Sequence, residues 1–243
     1  MKRTTYIILL LIYLVILTCA SPKKISKNEL TDLISIPVEA WSFKDCLAII
    51  DRYSTANLRL DFEISRGSSS YGKEIFIRAT PFTKEVIKAI VKKETIQRRF
   101  SSKEFRKRLK QELEYFTNYS LDEQSGKVIE KTPDAENRVD EYTFKVYFLN
   151  VTDPNRTVHA YMAEEGFFLE REDKKFTRVI GMTGTDQEAY FTLYSDLHTM
   201  ITFSAFTDYG ERLGFDESNM YQYKLVFTSL QNEPIKLDWK HLR

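Results

Sequence analysis

The sequence predicts an α+β protein: an N-terminal mixed strand and helix part with two central helices, then a C-terminal antiparallel, β-sandwich-like part. Three patterns carry this expectation. Leu58, Leu60, Phe62 and Ile64 alternate with Arg59, Asp61 and Glu63, the period of a half-buried strand. Phe105, Leu109, Leu113 and Phe116 recur at the spacing of one face of an α-helix. From Glu141 onward, short alternating segments are separated by turn residues at sandwich-like intervals.

Residues 1–20 have a different character. Lys2 and Arg3 form a positive end, Tyr6 to Leu17 are apolar, and small residues follow from Thr18 to Ser21, the three-part layout of a signal peptide. The apolar run is shorter than the ~20 residues of a comfortable membrane-spanning helix. Ile16-Leu17-Thr18-Cys19 resembles a bacterial lipobox, with Thr18 where Gly, Ala or Ser is usual. The resemblance implies that Cys19 is the lipid-attachment residue of an exported lipoprotein, membrane-anchored in the cell envelope. By similarity to lipoproteins of two-membrane bacteria, Ala20 and Ser21 imply the outer membrane, with the body facing the periplasm or the surface. Ordinary secretion after cleavage at Ala20, and an uncleaved anchor, are the alternatives.

Residues 21–40 open with Pro22-Lys23-Lys24 and read as a tether. The mixed part spans 41–118. A helix is expected from Phe43 to Tyr53, with Ser42 and Asp45 as a capping pair. Gly67-Ser68-Ser69-Ser70 turns the first strand into a second carrying Ile75, Ile77 and Ala79. After Pro81, Val86, Ala89, Ile90 and Ile96 mark one face of a helix over 83–99, and Ser101 with Glu104 opens the next. Residues 119–140, with Pro133, read as a loop or hinge. The β-rich part spans 141–243: Tyr142, Phe144, Val146 and Phe148 alternate, strands follow near 157–163, 166–171, 175–182, 188–194 and 199–206, and the chain closes with 221–227 and 235–239.

A hydrophobic fraction of 42% with 14% aromatics is enough for a packed core. The formal charge of +1 becomes −1 once Lys2 and Arg3 are removed, which excludes a global attraction to nucleic acid. Cys46 lies among Phe43, Leu47 and Ile50 at helical spacing and reads as an inert buried thiol, leaving stability to packing. Charge is unevenly spread. Lys84 to Lys110 holds eleven Lys or Arg against Glu85, Glu94 and Glu104, whereas 111–172 holds fourteen acidic residues against six basic. The basic helices are expected to form a solvated face, to meet anionic lipid or an envelope protein partner, or to pack on the acidic segment.

Catalytic chemistry leaves no recognisable pattern. The three histidines, His159, His198 and His241, have no zinc spacing, and Ser195-Asp196-His198 reads as a turn. Glu164-Glu165 and Asp216-Glu217 read as exposed loop pairs. No phosphate-binding, dinucleotide or nucleophile-elbow motif occurs, so no catalytic, metal or cofactor-binding residue is expected. Tyr190, Phe191, Tyr194, Phe203, Phe206, Tyr221 and Tyr223 read chiefly as core, and the sequons at Asn118, Asn150 and Asn155 as chance in a bacterial chain. The functional expectation is a non-enzymatic envelope lipoprotein with a β-rich binding or structural body. The alternatives are a secreted or periplasmic enzyme acting on cell wall or glycan, and an envelope-complex subunit docking through basic helices 84–110.

Overall fold

Side-chain caps decide where most of the helices begin. A computed structural model describes residues 25–56, 58–66, 69–122, 124–131, 140–150, 158–161, 167–183, 188–191, 197–227 and 234–243. Cys19 and the leader, Pro22-Lys23-Lys24, Glu164-Glu165, Ser195-Asp196 and Asn155 lie outside them. Helices α1 (Lys27–Ser35), α2 (Phe43–Tyr53) and α4 (Ser102–Phe116) each open on a reciprocal capping box, Ser26 with Glu29, Ser42 with Asp45 and Ser101 with Glu104. Each box satisfies two backbone N–H groups that the helix itself leaves without partners. Helix α3 (Lys84–Arg98) has Thr83 at its N-cap, yet the threonine side chain makes no capping bond.

Helix α1 occupies the segment expected to be a tether. Its polar residues face outward while Leu30 is buried, and the Trp41 indole N–H donates to the Leu33 carbonyl at 3.1 Å. A single apolar stripe in a short polar stretch separates a packed helix from a tether, and Leu30, Leu33 and Ile34 provide it. The stretch 119–140 likewise holds a hairpin, β3 (Tyr119–Leu121) with β4 (Val128–Glu130), closed by an Asp122 turn and by Gly126 at a φ of 69°.

The remaining strands form one eight-stranded antiparallel sheet and a separate pair. β1 (Leu58–Arg66) and β2 (Ser69–Pro81) make a long hairpin, and β2 pairs β5 (Glu141–Asn150) in the register Ile77↔Phe148 and Ala79↔Val146. The sheet order is β1-β2-β5-β10-β8-β7-β11-β12, with β10 at Leu197–Ser204, β8 at Phe176–Thr183, β7 at Phe167–Arg171, β11 at Tyr223–Phe227 and β12 at Ile235–Asp238. Among the described residues, β6 (Val158–Tyr161) pairs β9 (Glu188–Phe191). The mixed part and the sandwich-like part therefore share a sheet. Periodicity gives a strand's faces but not its partners, which is why they read as separate in the sequence.

Strand β8 makes the sheet curl. Phe176, Thr177 and Arg178 pair β7, whereas Val179 and Gly181 to Thr183 pair β10, and the register slips between Thr202 and Phe203. Ile180 is the extra residue and is 54% exposed, as expected of a bulge that bends a strand from one sheet direction to another. One core cluster joins Phe144, Phe203, Phe215, Tyr223 and Trp239 with α3 residues Val86, Ile87 and Ala89. The strands expected at 166–171, 175–182, 199–206, 221–227 and 235–239 match β7, β8, β10, β11 and β12 to within a few residues.

The chain end closes the structure. Trp239 is fully buried, its ring centroid lies 5.8 Å from that of Phe144 and 5.9 Å from that of Phe215, and its indole N–H donates to the Tyr53 carbonyl at 2.8 Å. It thus ties β12 to the end of α2, 186 residues earlier. Trp239→Ala is expected to cost about 3–5 kcal/mol in urea unfolding, and Trp239→Phe, which keeps most of the ring, about 1–3 kcal/mol. A loss under about 1 kcal/mol for the alanine variant would contradict this tie.

Candidate functional site

The missing threonine cap of α3 is supplied from far along the chain. Glu217 accepts a hydrogen bond from the Glu85 amide at 2.9 Å, across 132 residues. The loop that delivers it is stiffened locally. The Asp216 amide donates to Asn219 Oδ1 at 2.9 Å, Asp216 Oδ1 accepts from the Ser218 amide at 2.7 Å, and the Asn219 side chain donates to the Gly214 carbonyl. Gly214 has a φ of 69°, a left-handed turn that glycine adopts without strain.

Sequence pattern placed Asp216 and Glu217 together as an exposed pair. The structure separates them: Asp216 is exposed, while the Glu217 carboxyl is enclosed even though part of its residue surface stays open. Burial raises its pKa above the ordinary carboxylate value, and the Glu85 charge adds to the rise. The bond from the Glu85 amide, the Thr83 hydroxyl and Lys84 act in the opposite direction. The Thr83 hydroxyl comes close enough to lower Glu217 yet ends without a partner in hydrogen-bond geometry.

Glu85 is itself buried at 7% exposure and is held by Lys88 at 2.7 Å and Lys84 at 3.7 Å. Lys88 also stacks over the Trp41 ring, and Lys84 sits 4.5 Å above the Tyr119 ring. The Tyr53 phenol is pushed up by burial and then by the Glu217 and Glu85 charges, so it lies within electrostatic reach of both carboxyl groups.

Thr83, Lys84, Tyr119 and Glu217 border a cleft of about 280 Å³ between α3, the α4–β3 junction, β5 and the 212–217 loop. Phe82 and Phe116 stack at 4.7 Å along one side, and Tyr142, whose hydroxyl accepts from the Phe215 amide at 3.1 Å, forms part of another. Glu130, Glu141, Asp216 and Glu217 meet Lys84 and Arg212 around it, leaving an acidic excess. Arg212 pairs with Asp140 at 3.3 Å. Acid–base roles, cation binding and hydroxyl recognition are all within the reach of this set. No spacing rule joins Tyr53, Thr83, Tyr119 and Glu217, so the site is invisible to motif reading.

The other expected residues fall elsewhere. Cys46 is fully buried, and burial raises its thiol pKa to about 11, so essentially no thiolate exists at neutral pH. His198 is exposed, and a ring nitrogen of His241 bonds the Arg52 carbonyl at 2.9 Å. Of the basic helices, Arg108 pairs with Glu94 at 3.1 Å and reaches Glu112, and Lys92 donates to the Glu39 carbonyl at 2.6 Å, so part of the basic charge is used internally. Arg99, Lys103, Arg106 and Lys107 are exposed.

The fold and site thus define an α+β protein with one acid-rich mixed cleft at the start of its central helix. No protein-family model matches the chain, and no curated protein matches it. It is similar to a crystal structure of a novel protein of unknown function from Burkholderia pseudomallei, at 9% identity and a TM-score of 0.38, over 90% of this chain and 95% of that one. A likeness of that size transfers no role.

The raised pKa of Glu217 fixes the sign of its pH effect. The folded state holds this proton more tightly than the unfolded chain, so its contribution to stability is greatest below the unfolded value of about 4.3 and falls as pH rises towards the folded value. Glu217→Gln keeps an acceptor for the Glu85 amide and removes the buried charge. Urea unfolding at pH 4.5 and 7 is expected to show the Gln variant at least as stable as wild type at pH 7, its relative advantage growing with pH. Glu217→Ala should lose about 1–3 kcal/mol at pH 4.5 and less at pH 7, where the wild type has itself lost the contribution of the tightly held proton. A Gln variant weaker than wild type at pH 7 would contradict the assignment.

Proposed function

We propose that the chain is an envelope lipoprotein, anchored through Cys19, whose β-rich body binds a small polar ligand in the cleft beside Glu217 and carries out no chemistry of its own. The cleft is the observation that carries the binding role. Its volume of about 280 Å³ lies at the lower edge of the ~300–1,000 Å³ common for ligand sites, which suits one or two sugar rings or an amino acid rather than a large cofactor. Stacked Phe82 and Phe116 with Tyr119 offer apolar faces, while the excess of carboxylates favours a ligand with hydroxyl or ammonium groups. The envelope address rests on the leader pattern and Cys19.

A second reading is favoured by one observation. An enzyme acting on cell wall or glycan requires carboxylates gathered in a concavity, and the enclosed, proton-retaining Glu217 stands beside exposed Asp216 in such a place. Release of new reducing ends from wall glycan by wild type, but not by Glu217→Gln, would replace the binding-only reading with this one.

Two measurements test the proposal. Intact mass of the membrane fraction is expected to show a diacylglyceryl addition on the wild-type chain and none on Cys19→Ala; unmodified mass on both removes the anchor. Calorimetric titration with amino sugars, muropeptides and polyamines is expected to find a ligand whose affinity drops at least tenfold in Tyr119→Ala, the usual scale for losing an aromatic platform. Failure of every member of that panel to bind contradicts the cleft as the ligand site.

A further inference from the structure

Helix α3 joins two oppositely charged ends of the body. Its N-terminus carries Glu85 and Glu217 at the cleft, and its C-terminus runs through Arg98 and Arg99 into the α4 turn with Lys103, Arg106 and Lys107. At ~1.5 Å per residue its 15 residues set these ends about 22 Å apart. Arg98 is 63% exposed, and Arg99, Lys103, Arg106 and Lys107 are exposed as well. Against these five cations stand Glu94, which pairs with Arg98 at 3.0 Å and Arg108 at 3.1 Å, and Glu104, which is bound into the Ser101 capping box. The tip keeps a net positive charge.

The N-terminal segment lies against the same helix. Lys88 stacks on Trp41, and Lys92 donates to the Glu39 carbonyl. From Lys92 to Arg98 is six residues, about 9 Å along the axis. The Ser26 cap of α1 lies seven residues after Cys19, a span of at most about 25 Å even if fully extended. A connection of that length keeps the body within reach of the bilayer, so that a cationic face can settle on its surface.

We propose that the cationic α3–α4 tip rests on anionic phospholipid headgroups and thereby turns the acid-rich cleft away from the membrane. The inference uses the Cys19 anchor of the proposed function for its geometry. Charge complementarity selects the occupant: a juxtamembrane cluster of several Lys and Arg is attracted to an anionic surface over about a Debye length, roughly 8 Å at physiological salt. An acid-lined cleft is repelled from that surface by the same field.

The test uses the processed full-length chain floated on vesicles of phosphatidylglycerol with phosphatidylethanolamine, or of phosphatidylcholine alone, with a headgroup nitroxide quencher. A fluorophore is placed at the tip through Gln97→Cys or at the cleft rim through Glu130→Cys; Cys46 is buried and stays unlabelled. The tip probe is expected to be quenched several-fold more than the rim probe on anionic vesicles. That difference should vanish on phosphatidylcholine, in 0.5 M NaCl and in the triple variant Lys103→Glu, Arg106→Glu, Lys107→Glu, whose melting temperature should match wild type. Equal quenching at both positions, or a difference that ignores lipid charge, overturns the proposal, including the case in which the tip instead serves an acidic protein. If the mature chain carries no lipid, the anchor reading fails by itself, and flotation of the chain decides the tip: retention on anionic vesicles but not in the triple variant supports it, and no retention overturns it.

Discussion

The hydrogen bond from the Glu85 amide to Glu217 is the contact on which the site depends. Helix α3 needs an acceptor at its first turn, and its own N-cap threonine does not provide one. A carboxylate from the 214–219 loop does, which fixes that loop over the helix and creates one wall of the cleft. The two favourable terms, a satisfied amide and a negative charge at the positive end of a helix, oppose the burial of a carboxylate beside Glu85. The raised pKa of Glu217 shows that burial has the larger effect. The fold therefore encloses a carboxyl group that holds its proton more tightly than a free glutamate, and supports it through the rest of the core.

That support comes from both ends of the chain. Trp239 joins β12 to the end of α2, Tyr53 at the same helix end lies within electrostatic reach of Glu217 and Glu85, and α3 contributes Val86, Ile87 and Ala89 to the shared core. The sheet switches strand partners within β8, from β7 to β10, and the bond from the Glu85 amide to Glu217 holds the 212–217 loop against α3. Helix, sheet curl and chain terminus thus converge at one place.

Most of this architecture can be read from residue patterns where the signal is local. Ser42 with Asp45 and Ser101 with Glu104 announce helices because a cap acts within three residues. The alternation from Tyr142 to Val146 announces a strand because pleating has a period of two. What escapes is non-local. The stripe of Leu30, Leu33 and Ile34 marks a packed helix only once Trp41 and the core are placed against it, β2 and β5 pair across some seventy residues, and Glu217 reads as half of an exposed acidic pair until the Glu85 amide is placed beside it. Arg108 illustrates the same limit in the opposite direction: it looks like free surface charge but bridges α3 and α4 through Glu94. The lipid-attachment role proposed for Cys19, by contrast, rests on the sequence pattern around it, since Cys19 lies outside the described residues.

Hydrogen exchange at the Glu85 amide tests the central interaction most directly, because this N–H lies in the first helical turn and has no acceptor within the helix. In the native protein it is expected to exchange slowly, with a protection close to that of the α3 interior, and to become fast in Glu217→Ala while amides in the middle of α4 keep their protection. Unchanged protection of Glu85 in Glu217→Ala would contradict the cap, and with it the claim that this contact builds the cleft.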